Sequence, residues 1–180
     1  MKKRRQTIKN LCLSGMLLAL CLLLPFLTAN SRELGNILCL MHIPVLICGI
    51  VCSPVHGAAV GMTAPLLRSF LVGMPPFPAV AVPMAAELMV YGVTVGLLYR
   101  LLPKKTVFLY PSLVISMLLG RTASVAVKYL LFALGKTEFS LATVLQLNFV
   151  TTLPGAALQL LLIPAVLYLL KKRGVIFSET

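Results

Sequence analysis

Aspartate and tryptophan are absent from this chain, and acid of any kind is scarce. Four glutamates (Glu33, Glu87, Glu138, Glu179) stand against 16 lysines and arginines. With so little acid there are no paired carboxylates for general acid–base work. The chain also lacks a Ser-His-Asp set, a His-Glu-x-x-His zinc motif and a glycine-rich loop for cradling phosphate. No catalytic residue and no bound cofactor is therefore expected. Charge as a whole is scarce too: 11% of residues are charged and 59% are hydrophobic, and the mean hydropathy is +1.01. That balance excludes an ordinary soluble domain and indicates an integral membrane protein.

The positive charge that is present sits mostly at the ends (Lys2, Lys3, Arg4, Arg5, Lys9; Lys171, Lys172, Arg173) and in one turn (Arg100, Lys104, Lys105). Basic clusters flanking apolar runs are what the positive-inside rule and anionic lipid produce, so the net charge of +12 does not imply nucleic acid. The five cysteines (Cys12, Cys21, Cys39, Cys48, Cys52) lie in or beside apolar runs. They read as small buried hydrophobes rather than metal ligands. The start resembles a secretory signal, with basic residues, an apolar run and then Thr28-Ala29-Asn30-Ser31. The run from Leu11 to Leu27 is nonetheless long enough to cross a bilayer and is read as a first span.

Proline, glycine and polar breaks divide the chain into six candidate spans, each near the roughly 20 residues that a bilayer requires. They cover about residues 8–27, 36–52, 55–72, 79–102, 107–134 and 141–172, a single all-α membrane domain with six transmembrane helices. The second and third could instead form a hairpin that does not cross fully. Pro154 and Pro164 predict kinks in the last span. An even number of crossings puts both termini and the Arg100–Lys105 turn on one side, which the positive-inside rule makes cytoplasmic. The loops Thr28–Gly35, Gly73–Pro78 and Gly135–Ser140 then face outward.

Four ionisable side chains interrupt these spans: Arg68, Glu87, Arg121 and Lys128. A charge at bilayer depth costs at least about 2.5–3.5 kcal/mol on insertion scales, so it is paired, wet or functional. At about 1.5 Å per residue, all but Arg121 fall in the outer half, together with His42, Gln146 and Asn148; Arg121 lies nearer the midplane. Each has a bland alternative. Arg68 and Lys128 could snorkel to headgroups. Glu87 could merely lock helices through a salt bridge, and His42, before Pro44, could cap a broken helix. Gln146 and Asn148 could be interhelical hydrogen-bond glue. Jointly they outline an outward-facing cavity, and an excess of positive charge suits an anionic small molecule.

Small residues recur four apart at Gly15/Ala19, Gly57/Gly61 and Gly92/Gly96, the spacing that lets helices approach closely. The last two pairs suggest packing within the chain. Gly15 and Ala19 lie where a partner subunit could dock.

Met41-His42-Ile43-Pro44-Val45-Leu46, Gly49, the Gly57–Gly61 pair, Ala64-Pro65-Leu66-Leu67-Arg68 and Gly73-Met74-Pro75-Pro76 resemble the substrate-binding S component of energy-coupling factor (ECF) transporters. The likeness extends to the six-span layout and basic termini. Gly15/Ala19 is similar to the family's small-xxx-small motif on the first helix, with glycine where alanine is usual. The resemblance implies a cell-membrane protein that captures a vitamin or related micronutrient from outside. It also implies a transmembrane coupling subunit and two cytoplasmic ATPases as partners, which use the ATP. The family does not fix the ligand. The charge pattern favours an acid such as pantothenate, a folate or nicotinate, with pantothenate preferred. A stand-alone permease or a non-transport scaffold are the competing readings.

Overall fold

In the computed structural model, residues 2–28, 39–102, 106–135 and 140–172 are described. Glu33, Glu138, Glu179, Lys104, Lys105 and Arg173 lie outside them. So do most of the Thr28–Gly35 and Gly135–Ser140 loops and the first residues of the expected second span.

All regular structure among the described residues is helical. Helix α1 (Lys2–Leu23) continues into a 3-10 turn (Leu24–Thr28) and is followed by α2 (His42–Val51), α3 (Pro54–Val72), α4 (Ala81–Leu101) and α5 (Thr106–Ala133). The last span is composite. A short α6 (Leu141–Leu145) passes into a π-helical turn (Gln146–Val150) and then α7 (Leu153–Lys172). Among the described residues five segments are long and apolar enough to cross a membrane: Arg4–Phe26, Pro54–Val72, Ala81–Leu101, Val107–Ala133 and Ala142–Lys172. The chain is an all-α integral membrane protein.

Two hydrogen-bond locks mark the two ends of the bundle. At the end where α1 begins, Asn10 Nδ2 and Arg100 donate to the carbonyl of Cys52, each at 3.2 Å. That carbonyl closes α2 just before Ser53-Pro54, where a proline ends the helix and starts the next. Ser53 caps α3 by accepting from the His56 amide at 3.2 Å. At the opposite end Arg68 Nε donates to the Met74 carbonyl at 3.1 Å, and its Nη1 to that of Leu22 at 3.5 Å. Gly73, which ends α3 with φ 72°, occupies the left-handed conformation that a C-terminal cap favours in glycine.

Helix α2 is the centre of the fold. His42 through Ile50 are all buried, beneath α1, α3, α4 and α7. A helix apolar on every face belongs in the interior. Its ten residues extend only about 15 Å, half of a hydrocarbon core of about 30 Å. With Cys52 fixed at one end of the bundle, the α2 N-terminus ends inside it. The helix of the second expected span thus starts at His42 and is too short to cross alone.

Glycines allow this packing. A Cβ added to Gly49 would meet the Gly92 carbonyl, one on Gly92 the Gly57 backbone, and one on Gly57 the Gly49 backbone. Gly96 and Gly61 are similarly tight, against Gly49 and Leu88. The Gly57/Gly61 and Gly92/Gly96 pairs therefore close a three-helix contact within the chain. The α1 pair behaves oppositely. Ser14, Leu17 and Cys21 face the bundle, whereas Gly15 and Ala19 are exposed, and nothing lies within 4 Å of a Cβ built on Gly15.

Candidate functional site

The α2 N-terminus opens towards α4. Met41-His42-Ile43-Pro44 builds an unusual first turn there: the His42 amide donates to Cys39 O at 3.0 Å and the Ile43 amide to Leu40 O at 3.3 Å, and Pro44 has no N–H. The amides that normally make a helix N-terminus an anion site are thus occupied or absent. The pole is met by a side chain instead. Glu87 Oε1 lies 3.7 Å from His42 Nε2 and accepts a 2.9 Å hydrogen bond from the Tyr91 hydroxyl. Glu87 and Tyr91 are one turn apart on α4, the spacing that places them on one face. The Tyr91 ring packs tilted against the His42 ring at 5.5 Å and occupies the space left by Gly120 on α5.

Helix α5 brings the cations. Arg121 and Lys128 are two turns apart and so share a face. Both reach the composite last span. Lys128 Nζ donates to Asn148 Oδ1 at 2.6 Å, and Arg121 donates to the Thr152 carbonyl at 3.5 Å, its guanidinium 5.9 Å from the Phe149 ring. The π-helical turn makes this meeting possible. Pro154 cannot donate to the carbonyl four residues before it and crowds that turn. The helix loosens over Gln146–Thr152, where the Thr151 amide reaches back to Gln146 O at 3.0 Å. Such π turns recur at functional sites. Pro164, by contrast, lies within the continuous α7.

The halves form one cluster. Glu87 lies within electrostatic reach of Arg121 and of Lys128, and Arg121 neighbours the Tyr91 hydroxyl. Cys39, whose carbonyl accepts from Gln159 Nε2 at 3.4 Å, is close to both Glu87 and Arg121. Three side-chain atoms of the cluster, His42 Nδ1, Arg121 Nε and Asn148 Nδ2, are buried without any hydrogen-bond partner among the described residues. Buried polar groups are rarely left so, because each unmade bond costs about 1–3 kcal/mol.

Of the seven side chains expected from sequence to line a cavity, the fold brings five together: His42, Glu87, Arg121, Lys128 and Asn148. Arg68 stands apart at the lock on Leu22 and Met74, with the Phe26 ring 5.4 Å from its guanidinium. Gln146 is exposed. Asn148, two residues on, points elsewhere on the same turn. Tyr91, Gly120, Thr152 and Gln159 were not expected. The four-residue step from Glu87 marks Tyr91, and an isolated mid-helix glycine marks Gly120 as a close contact. No sequence signal marks the Thr152 carbonyl.

A family model described as ECF transporter, substrate-specific component, matches residues 9–168. No curated protein and no solved structure matches the chain.

Proposed function

Because the chain belongs to the family of substrate-specific components of ECF transporters, we propose that it captures an anionic vitamin or related micronutrient from outside the cell. It then delivers this ligand across the cell membrane. The three unpartnered buried atoms, His42 Nδ1, Arg121 Nε and Asn148 Nδ2, carry the reading. They belong to residues of α2, α5 and the composite last span, with His42 3.7 Å from Glu87, Glu87 within electrostatic reach of Arg121, and Asn148 bonded to Lys128. A bound acid supplies the acceptors that Arg121 Nε and Asn148 Nδ2 lack, and among the described residues it displaces no existing ion pair of either cation.

Pantothenate is the preferred candidate among such acids, having one carboxylate with hydroxyl and amide groups. The termini and the Asn10–Cys52–Arg100 lock lie on the cytoplasmic side in this reading, and the Arg68 lock on the outer side. The chain performs no chemistry of its own. A transmembrane coupling subunit, docking on the Gly15/Ala19 face, and two cytoplasmic ATPases supply the energy that reorients the loaded protein.

The test is extraction of the purified protein, grown in vitamin-replete medium, and mass spectrometry of what it releases. An acid is expected, with its retention at least about tenfold weaker in Arg121→Met. Release of a neutral hydrophobic compound, or full retention by Arg121→Met and Asn148→Ala, would overturn the assignment.

A further inference from the structure

Among the described residues Cys39 is the only non-glycine with a positive φ, at 48°. A side chain in this left-handed region crowds the backbone, so the conformation persists only where the surroundings enforce it. Two bonds converge on the Cys39 carbonyl. One comes from the His42 amide at 3.0 Å and closes the first turn of α2. The other comes from Gln159 Nε2 on α7 at 3.4 Å, across 120 positions of chain. A carbonyl oxygen only accepts, so the end of the Gln159 amide that faces it is the donor. Cys39 is buried and Gln159 is 2% exposed, which shields this contact from water.

Gln159 lies about two turns beyond Thr152 on the last span, and the Thr152 carbonyl accepts from Arg121. The last span therefore touches the polar cluster twice. It holds Arg121 through Thr152, and it holds the turn before His42 through Gln159. That turn matters because His42 follows it directly, with Nε2 3.7 Å from Glu87 Oε1 and its ring against Tyr91. A change in the Cys39 backbone re-aims both contacts.

Resting on the reading that the polar cluster is the substrate site, we propose that Gln159 is a positioning residue. Its bond to the Cys39 carbonyl holds the left-handed turn, and the turn sets where His42 stands against Glu87 and Tyr91. Without the bond Cys39 relaxes out of the left-handed region and the α2 N-terminus turns away from α4.

The experiment uses the full chain in detergent, and its probe is the compound released by the wild-type protein. Gln159→Met keeps nearly the same length and removes the donor. Amide exchange at His42 and Ile43 is expected to quicken by about fivefold, the net worth of one hydrogen bond. Retention of the compound is expected to fall by a similar factor. Unchanged exchange would overturn the proposal, as would quickened exchange with wild-type retention. The backbone at residue 39 then separates positioning from packing damage. Glycine carries no left-handed penalty, so Gln159→Met is expected to cost little retention in a Cys39→Gly background. In a Cys39→Ala background, which keeps the Cβ and removes the thiol, it is expected to cost the full factor. Equal losses in the two backgrounds would refute the positioning role. If the wild-type protein releases no small molecule, the substrate reading falls and the positioning role with it, while exchange at His42 and Ile43 still decides whether the bond holds the turn.

Discussion

The Tyr91 ring lies where a side chain on Gly120 would have to be. This contact between α4 and α5 holds the tyrosine so that its hydroxyl donates to Glu87 Oε1 at 2.9 Å. It also keeps the ring against His42. A residue with no side chain on one helix thus sets the position of a carboxylate on the next, and the carboxylate faces the half-length α2.

Enlarging Gly120 should therefore damage ligand binding before it damages the fold. Gly120→Val must displace the Tyr91 ring, and overpacking of this kind costs about 1–3 kcal/mol. The expected result is a lower unfolding temperature in detergent and a loss of ligand retention of at least about tenfold. Tyr91→Phe keeps the ring and deletes only the hydroxyl. It should leave the unfolding temperature nearer wild type while still weakening retention, since a buried carboxylate then loses a donor worth about 1.5–3 kcal/mol. Wild-type retention in both variants would show that the tyrosine does not position the site.

The second prediction concerns Arg68, whose side chain joins the end of α1 to the connection after α3 through Leu22 O and Met74 O. Arg68→Met should loosen both segments while leaving the charge balance around Arg121 untouched. Hydrogen exchange should quicken in the connection between Gly73 and Val80 and in the last turn of α1. The preference for an acid over its amide should stay as in wild type. Arg68→Lys should behave like the methionine variant in exchange, because one ammonium lacks the forked geometry that reaches two carbonyls. A collapse of acid preference in Arg68→Met would place this residue at the ligand after all.

Arg68 also shows where the sequence stopped being informative. Hydropathy and proline suggest the spans, and depth along each follows from residue counting. That was enough to bring His42, Glu87, Arg121, Lys128 and Asn148 to neighbouring levels. Depth says nothing about which face of a helix looks inward. Arg68 lies at a plausible level but turns towards α1 and the α3–α4 connection. Gln146 and Asn148 lie at the same level but diverge on a turn that Pro154 perturbs. The short α2 was hidden for a different reason: the apolar run of residues 36–52 continues past the helix start, so composition could not reveal that the helix begins at His42. The paired glycines of α3 and α4 were visible as a pattern. Their common contact with Gly49 depends on three helices meeting, which no single stretch encodes.

That three-helix contact makes a third prediction. A Cβ on Gly92 would meet the backbone of Gly57 and Ala58, and backbone cannot rotate aside as a flexible side chain can. Gly92→Leu should force α3 and α4 apart and carry α2 with them. The cost should exceed the 1–3 kcal/mol typical of core overpacking, and the folded yield after detergent extraction should fall sharply. Gly73→Ala strains a left-handed residue but opens no helix contact, since nothing lies near its Cβ. Its loss should be smaller, about 1–2 kcal/mol by the left-handed penalty. Comparable unfolding temperatures for Gly92→Leu and Gly73→Ala would contradict the tight packing described for α2, α3 and α4.

The fourth prediction uses the opposite property, free space. Gly15 and Ala19 lie on the outer face of α1 with Leu11, Met16 and Leu20, all exposed, while Ser14, Leu17 and Cys21 hold α1 to the rest of the chain. In a bilayer that face meets lipid with no hydrophobic gain in being covered, so association there depends on close packing over small side chains. Gly15→Leu fills the approach on an exposed face of α1, where a Cβ meets nothing within 4 Å. The variant should therefore fold and retain its ligand as wild type does. It should lose co-purification with the coupling subunit and the ATPases, and ATP-dependent uptake in cells should fall with it. Gly15→Ala keeps a small residue at this position and should keep both. If Gly15→Leu still co-purifies with the coupling subunit at wild-type yield, the docking face lies elsewhere on the molecule. If it loses ligand as well, α1 is coupled to the polar cluster more tightly than its contacts with α2 and α3 indicate.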